Sequence, residues 1–310
     1  MDHLRVGYAR LFARSLSSAS AHASPLTFIH LLHRIATDAS RILKNQVSYL
    51  WPAVIDVGES AASDGKVPPP TSIAAFREKV KTLHFSNGAD KPVVAGLYEK
   101  MLRAALGGST ELSFMQAGWG DAEAVAFAES LPLCTRLEKL DLRYNKIGNE
   151  GLTALARALA DGAAPKLEKL NVNYNKIGNE GLTALARALA DGAAPELDEL
   201  NLSGNDFSGA DEGLRLLGQA KLPALEKLEL NRCNFNLAAL AEGMQAGAWP
   251  SLEELQMRSN EQASDEGAEA LARALERGAM PKLKQIYAGG TVSEAGKAAI
   301  EKARPGVEWF

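Results

Sequence analysis

Two cysteines, Cys134 and Cys233, are all the thiols the 310-residue sequence contains. That excludes a disulfide framework and makes a reducing compartment the expected setting. Histidine is confined to the first third: all five precede residue 85. Everything after that lacks an imidazole to ligate a metal or to activate a serine or cysteine. His30 and His33 stand three apart, but no cysteine or third histidine is near them in sequence, so they fall short of a zinc ligand set. No apolar run is long enough to cross a bilayer as a helix. Gly65-Lys66 does not open a phosphate loop: Val67 stands where Ser or Thr would hold magnesium, and Pro68–Pro70 forbid the helix that should follow. These absences predict no catalytic residue, no metal and no cofactor.

Charge narrows the partner class. Residues 1–106 carry 13 Lys/Arg and 8 Asp/Glu, net +5, whereas residues 107–310 carry 21 and 30, net −9. An acidic C-terminal two-thirds argues against a nucleic-acid partner. A protein partner is what remains.

What the sequence does contain is a repeat. Residues 137–166 read LEKLDLRYNKIGNEGLTALARALADGAAPK, and residues 167–196 repeat them with four differences. Such a period marks a stacked repeat array. In each unit the Leu140/Leu142 alternation suits a short strand. Gly151–Ala160 follows, with Leu152, Leu155, Ala156 and Leu159 at helical spacing. Asp161-Gly162 and Pro165 stop the helix and return the chain. Leucines equivalent to Leu140 recur at Leu112, Leu170, Leu200, Leu228 and Leu255, then Ile286, at spacings of 28, 30, 30, 28, 27 and 31. Asn145, Asn175, Asn205 and Asn260 share a second column, in which Cys233 replaces Asn. Their amides are expected to bond the turn leaving each strand, and Cys233 to be a buried small side chain.

The run L-x-x-L-x-L-x-x-N-x-I resembles leucine-rich repeats, in particular the long subtype of ribonuclease inhibitor, of the Ran GTPase-activating protein and of the sensor arms of nucleotide-binding immune receptors. The resemblance implies an α/β fold: a right-handed solenoid, or horseshoe, with a parallel concave sheet and convex helices, preceded by a helical N-terminal region. It specifies architecture far better than function.

The rest of the chain divides by composition. Residues 1–24 are basic and rich in Ser and Ala, which suits an organelle transit peptide as well as a plain basic arm; deletion of this segment is expected to leave folding unaffected. Residues 25–72 combine an amphipathic helix over 25–51 with a Pro-rich linker, the helix capping the array or docking a partner. Residues 73–110 read as a degenerate capping repeat, with a strand over Val80–Phe85 and a helix over Val93–Leu106. Residues 111–310 are the repeats proper, closed by an edge strand over Val307–Phe310.

Strand residues that alternate with the leucines face the groove. The candidate partner-binding positions are Lys139, Asp141, Arg143, Tyr144, Lys169, Asn171, Asn173, Tyr174, Glu199, Asn201, Glu229, Arg232 and Arg258. Lys169, Glu199, Lys227 and Glu254 alternate in sign along one ladder. Tyr144 and Tyr174 supply the residue type that dominates interface hot spots, and Arg143 and Lys169 beside them favour an acidic partner surface. The leading expectation is a non-enzymatic module, monomeric and cytoplasmic, that binds a protein on its concave face. Organelle targeting through residues 1–24 is the alternative location. The alternative functions are a Ran-type GTPase-activating regulator acting through Arg143 or Arg258, and a structural subunit of a cytoskeletal or other assembly.

Overall fold

The computed structural model describes residues 69–82, 90–261, 263–289 and 292–310. The targeting segment at 1–24, the helix at 25–51 and most of the linker lie outside the described residues.

Helix α1 spans Ile73–Thr82 and α2 spans Asp90–Gly108. Ser72 caps α1, its Oγ accepting the Ala75 N–H at 3.2 Å. Val80, expected to begin a strand, is helical. The reason is its partner: Phe76 and Val80 lie one turn apart and are both buried on the face toward α2. On α2, Val94, Tyr98, Leu102 and Leu106 form a stripe of period four, and all are buried. Phe76 stacks on Tyr98 with ring centroids 3.8 Å apart. The helix expected over Val93–Leu106 is thus present and slightly longer.

Seven strand–helix units follow: β1 Glu111–Ser113, α3 Asp121–Ala128, β2 Lys139–Asp141, α4 Asn149–Ala160, β3 Lys169–Asn171, α5 Asn179–Ala190, β4 Glu199–Asn201, α6 Asp211–Gln219, β5 Lys227–Glu229, α7 Leu237–Gly243, β6 Glu254–Gln256, α8 Asp265–Glu276, β7 Gln285–Tyr287 and α9 Glu294–Ala303. A short 3-10 turn, Leu131–Leu133, precedes β2. The edge strand β8, Glu308–Trp309, closes the sheet. All eight strands are parallel and run in sequence order. The leucine column is in register from Leu112 through Leu140, Leu170, Leu200, Leu228 and Leu255 to Ile286. Each is buried against the helices, and each burial contributes roughly 1.5–3 kcal/mol.

The units are also joined by polar side chains. Asn175 Nδ2 donates to the carbonyls of Leu142 and Val172, both at 3.0 Å, while its Oδ1 accepts the Ile147 N–H at 3.0 Å. Asn145 and Asn205 repeat the pattern, and Asn260 does so with Cys233 and Asn234 as its N–H donors. The expected turn bonds are therefore present, and they reach into the preceding unit as well. Helices α4 and α5 begin after glycine and have no capping side chain of their own. The preceding unit supplies one: Asp121 Oδ1 accepts from Gly148 N and Gly151 N at 2.8 and 2.7 Å, and Asn149 Oδ1 from Gly178 N and Gly181 N at 2.8 and 3.0 Å. Gly151 is required for this approach, since a Cβ there would stand 2.8 Å from that of Ala124.

Candidate partner-binding surface

Three residues beyond each of strands β1 to β6 stands a residue of left-handed backbone: Gln116, Tyr144, Tyr174, Gly204, Arg232 and Ser259, with φ between 48° and 69°. The residue after it is Ala117 in the first unit and the Asn or Cys of the turn in the others, buried except for the half-buried Asn175. This turn directs one side chain per unit outward along the C-terminal rim of the sheet. Tyr144 and Tyr174 occupy that column at 46% and 37% exposure. Their rings are parallel, 4.9 Å apart with 6° between the planes. Tyr174 lies over the backbone of Gly204, where a Cβ would meet the ring at 2.8 Å. The next residue in the column, Arg232, donates Nη1 to the Tyr174 hydroxyl at 3.3 Å. A stack braced at Tyr174 in this way loses little freedom when a partner covers it.

The charged positions are mostly matched within the sheet. Arg143 Nε stands 3.1 Å from Asp141 Oδ2. Lys169 reaches Glu199 at 2.8 Å and Asp198 at 4.0 Å. Lys227 takes Glu229 at 3.0 Å and Glu254 at 3.6 Å. The sign-alternating ladder is thus partly formed: Lys169–Glu199 and Lys227–Glu254 pair, but Lys227 turns to Glu229 on its own strand rather than back to Glu199. The hydrogen bond to Glu199 holds Lys169 above its ordinary pKa. Burial pulls Lys227 down, but Glu229 and Glu254 outweigh it and the net shift is upward. Burial raises Asp141 and Asp198, against the pull of Arg143 and Lys169. The expectation that Arg143 and Lys169 attract an acidic partner needs revision, because both already have carboxylates of their own.

The other candidate positions divide into two groups. Asp141, Asn171 and Asn201 use Oδ1 to accept the N–H two residues on, at 3.1, 3.1 and 3.0 Å. The Asp141/Asn171 difference between the twin units therefore preserves a backbone contact. Asn201 is buried, and Asn173 is half-buried. Lys139, Arg232 and Arg258 are exposed, and none has a carboxylate within ion-pair distance among the described residues. Arg258 lies over the Tyr287 ring, 4.8 Å from its centroid, and Tyr287 stacks on Phe310 at 4.8 Å. Met115, 42% exposed, touches Arg143 Nε through sulfur at 3.1 Å. Met115 and Tyr287 are not among the candidate positions picked out from the sequence, where Phe310 reads only as edge strand. The two aromatics meet because β8 pairs in register with β7, a contact between residues 23 apart in the chain.

Cys134 and Cys233 are both free and buried, and burial pushes each thiol up to about 12. Cys233 Sγ donates to the Leu202 carbonyl at 3.3 Å, taking part of the role of the replaced asparagine. Among the described residues no helix is long and apolar enough to cross a membrane.

The Leucine Rich repeat family matches residues 133–156, 163–186 and 250–272. No curated protein matches the chain. Among solved structures, an internalin (InlF) from Listeria monocytogenes is similar over 60% of this chain and 49% of its own, at 17% identity and a TM-score of 0.36. The functional domain of InlJ from Listeria monocytogenes, described as including a cysteine ladder, is similar over 61% and 50%, at 14% identity and a TM-score of 0.22. The chain spans about half the length of each. Each segment matched by the family covers one strand, its turn and the start of the following helix. With eight in-register parallel strands alternating with stacked helices, the described residues form a leucine-rich-repeat solenoid.

Proposed function

We propose that the chain is a non-enzymatic interaction module that binds a protein partner on its concave sheet, centred on Tyr144 and Tyr174. The observation that carries this reading is the ring stack itself. It joins exposed apolar area to polar hydroxyl tips, and it is braced by Gly204 and Arg232 before any partner arrives. Most of the surrounding sheet is amide or ion-paired, and exposed ion pairs contribute only about 0–1 kcal/mol each. Repeat spacings of 27–31 with a helix in every unit support the ribonuclease-inhibitor-like subtype. A monomer working in the cytoplasm is the state and place we assign to it.

The test is affinity capture of partners by the wild-type chain and by the Tyr144→Ala/Tyr174→Ala variant, followed by titration with the recovered partner. The double variant should weaken binding by more than about 2 kcal/mol, the usual hot-spot threshold, with an unchanged circular dichroism spectrum. Glu254→Ala should matter far less. Equal losses at the two sites, or no loss at either, would remove the tyrosines from the interface.

A further inference from the structure

Arg232 and Arg258 sit on the same sheet rim in adjacent units, and their main chains touch: Arg232 N donates to Arg258 O at 2.9 Å. Both side chains are exposed. Arg232 is braced by the Tyr174 hydroxyl and Arg258 by the Tyr287 ring. Gly289 leaves room for the Arg258 stem, since a Cβ there would stand 3.1 Å from Arg258 Cγ. Neither guanidinium has a carboxylate within ion-pair distance among the described residues, whereas Arg143, Lys169 and Lys227 on the same sheet each do. Lys139 also lacks one, but it stands alone, beside the paired Lys169.

The geometry points to Arg232 and Arg258 as a receptor for a short acidic segment of the protein partner, with aromatic or aliphatic residues next to its carboxylates. This inference rests on the concave-face reading and adds the chemistry of the partner. A guanidinium presents a planar fork that matches a carboxylate in bidentate fashion. Two forks on hydrogen-bonded backbones, each already leaning on a ring, lose little side-chain freedom on binding. The flanking rings, Tyr144 and Tyr174 on one side and Tyr287 and Phe310 on the other, offer apolar area to the neighbours of those carboxylates. A long polyanion fits less well. The net charge of −9 over residues 107–310 repels an extended run of phosphates, whereas screening within about 8 Å at physiological salt leaves a short acidic segment to feel mainly the arginines it touches.

The test uses the full chain and three fluorescein-labelled probes followed by anisotropy. One is a short peptide alternating glutamate with tyrosine and leucine. The second replaces every glutamate by glutamine, and the third is a thymidine oligonucleotide. The glutamate peptide should bind most tightly and weaken as salt is raised. Arg232→Gln/Arg258→Gln should cost it about tenfold or more, the scale of two lost charge-assisted contacts. Arg157→Gln, on the opposite helical face, should cost it little. Both arginine variants should melt with the wild-type chain. Equal binding of the two peptides, tighter binding of the oligonucleotide, no binding by the glutamate peptide, or its full retention by the double arginine variant would each overturn the inference. If Tyr144→Ala/Tyr174→Ala abolishes capture of the natural partner while Arg232→Gln/Arg258→Gln does not, the concave-face reading stands and this one falls.

Discussion

Phe207 donates its main-chain N–H to the carbonyl oxygen of Cys233 at 2.8 Å, whereas Ile147 and Ile177 donate the equivalent N–H to side-chain Oδ1 of Asn175 and Asn205, both at 3.0 Å. One unit thus satisfies with backbone what its neighbours satisfy with an amide. The consequences of truncation should differ accordingly. Asn175→Ala strands the Ile147 N–H, while the Leu142 carbonyl keeps Asn145 Nδ2 at 2.9 Å, and an unsatisfied group of this kind costs about 1–3 kcal/mol. Cys233→Ala strands nothing comparable, since a thiol is a weak donor. The urea midpoint should fall for Asn175→Ala by the equivalent of about 2 kcal/mol, and for Cys233→Ala by about 1 kcal/mol or less. Equal losses would mean that the asparagine column acts by filling space.

Much of this framework was legible because packing repeats it. A leucine must stand wherever the sheet meets the helices, so the column from Leu112 to Ile286 could be read from spacing alone, and it is in register. The Asn column was legible for the same reason. Val80 was misread because a short apolar run serves a strand or a buried helix face equally well. What decided it was Phe76 one turn earlier and Ser72 at the cap, both local features present in the sequence. The ion pairs were less legible, because side-chain torsions choose among several partners in reach. Lys227 faces Glu199, Glu229 and Glu254 and takes the last two. The importance of Gly204 was hidden altogether: its role is to be absent beneath Tyr174, 30 residues away.

Gly204 therefore carries a prediction. Its φ is +69°, and a Cβ would stand 2.8 Å from the Tyr174 ring. Gly204→Ala should cost stability on the order of 1–3 kcal/mol, from the left-handed backbone and the contact together. It should also displace the ring from Tyr144 and from the Arg232 guanidinium. Partner affinity should then fall more than the Glu254→Ala control. Wild-type affinity in the folded Gly204→Ala variant would show that the position of the stack is unimportant.

The thiols should be silent in the native chain. With both pushed up to about 12, the thiolate fraction at pH 8 is on the order of one in ten thousand, and burial blocks access as well. Alkylation by iodoacetamide should be negligible under native conditions. It should rise to two labels per chain in denaturant, tracking the unfolding transition. Rapid native labelling of Cys233 would mean that the units at β4 to β6 open readily.

Asp141 offers a pH test with an internal reference, because Asn171 occupies the same place in the twin unit. Both accept the N–H two residues on at 3.1 Å, so Asp141→Asn should keep that bond. What it removes is a half-buried charge and its pairing with Arg143. Burial is the larger influence, and it raises Asp141 above its ordinary 3.8. A group raised in this way takes up its proton in the folded chain before the unfolded one. Wild-type stability therefore gains from this group as pH falls through the raised value, and the gain is complete below 3.8. Asp141→Asn should be the more stable chain at neutral pH, with the difference closing on acidification toward 3.8. Urea midpoints for both chains at neutral and acidic pH decide it. A variant less stable than wild type at neutral pH would show that the Arg143 pair outweighs the cost of burying the carboxylate.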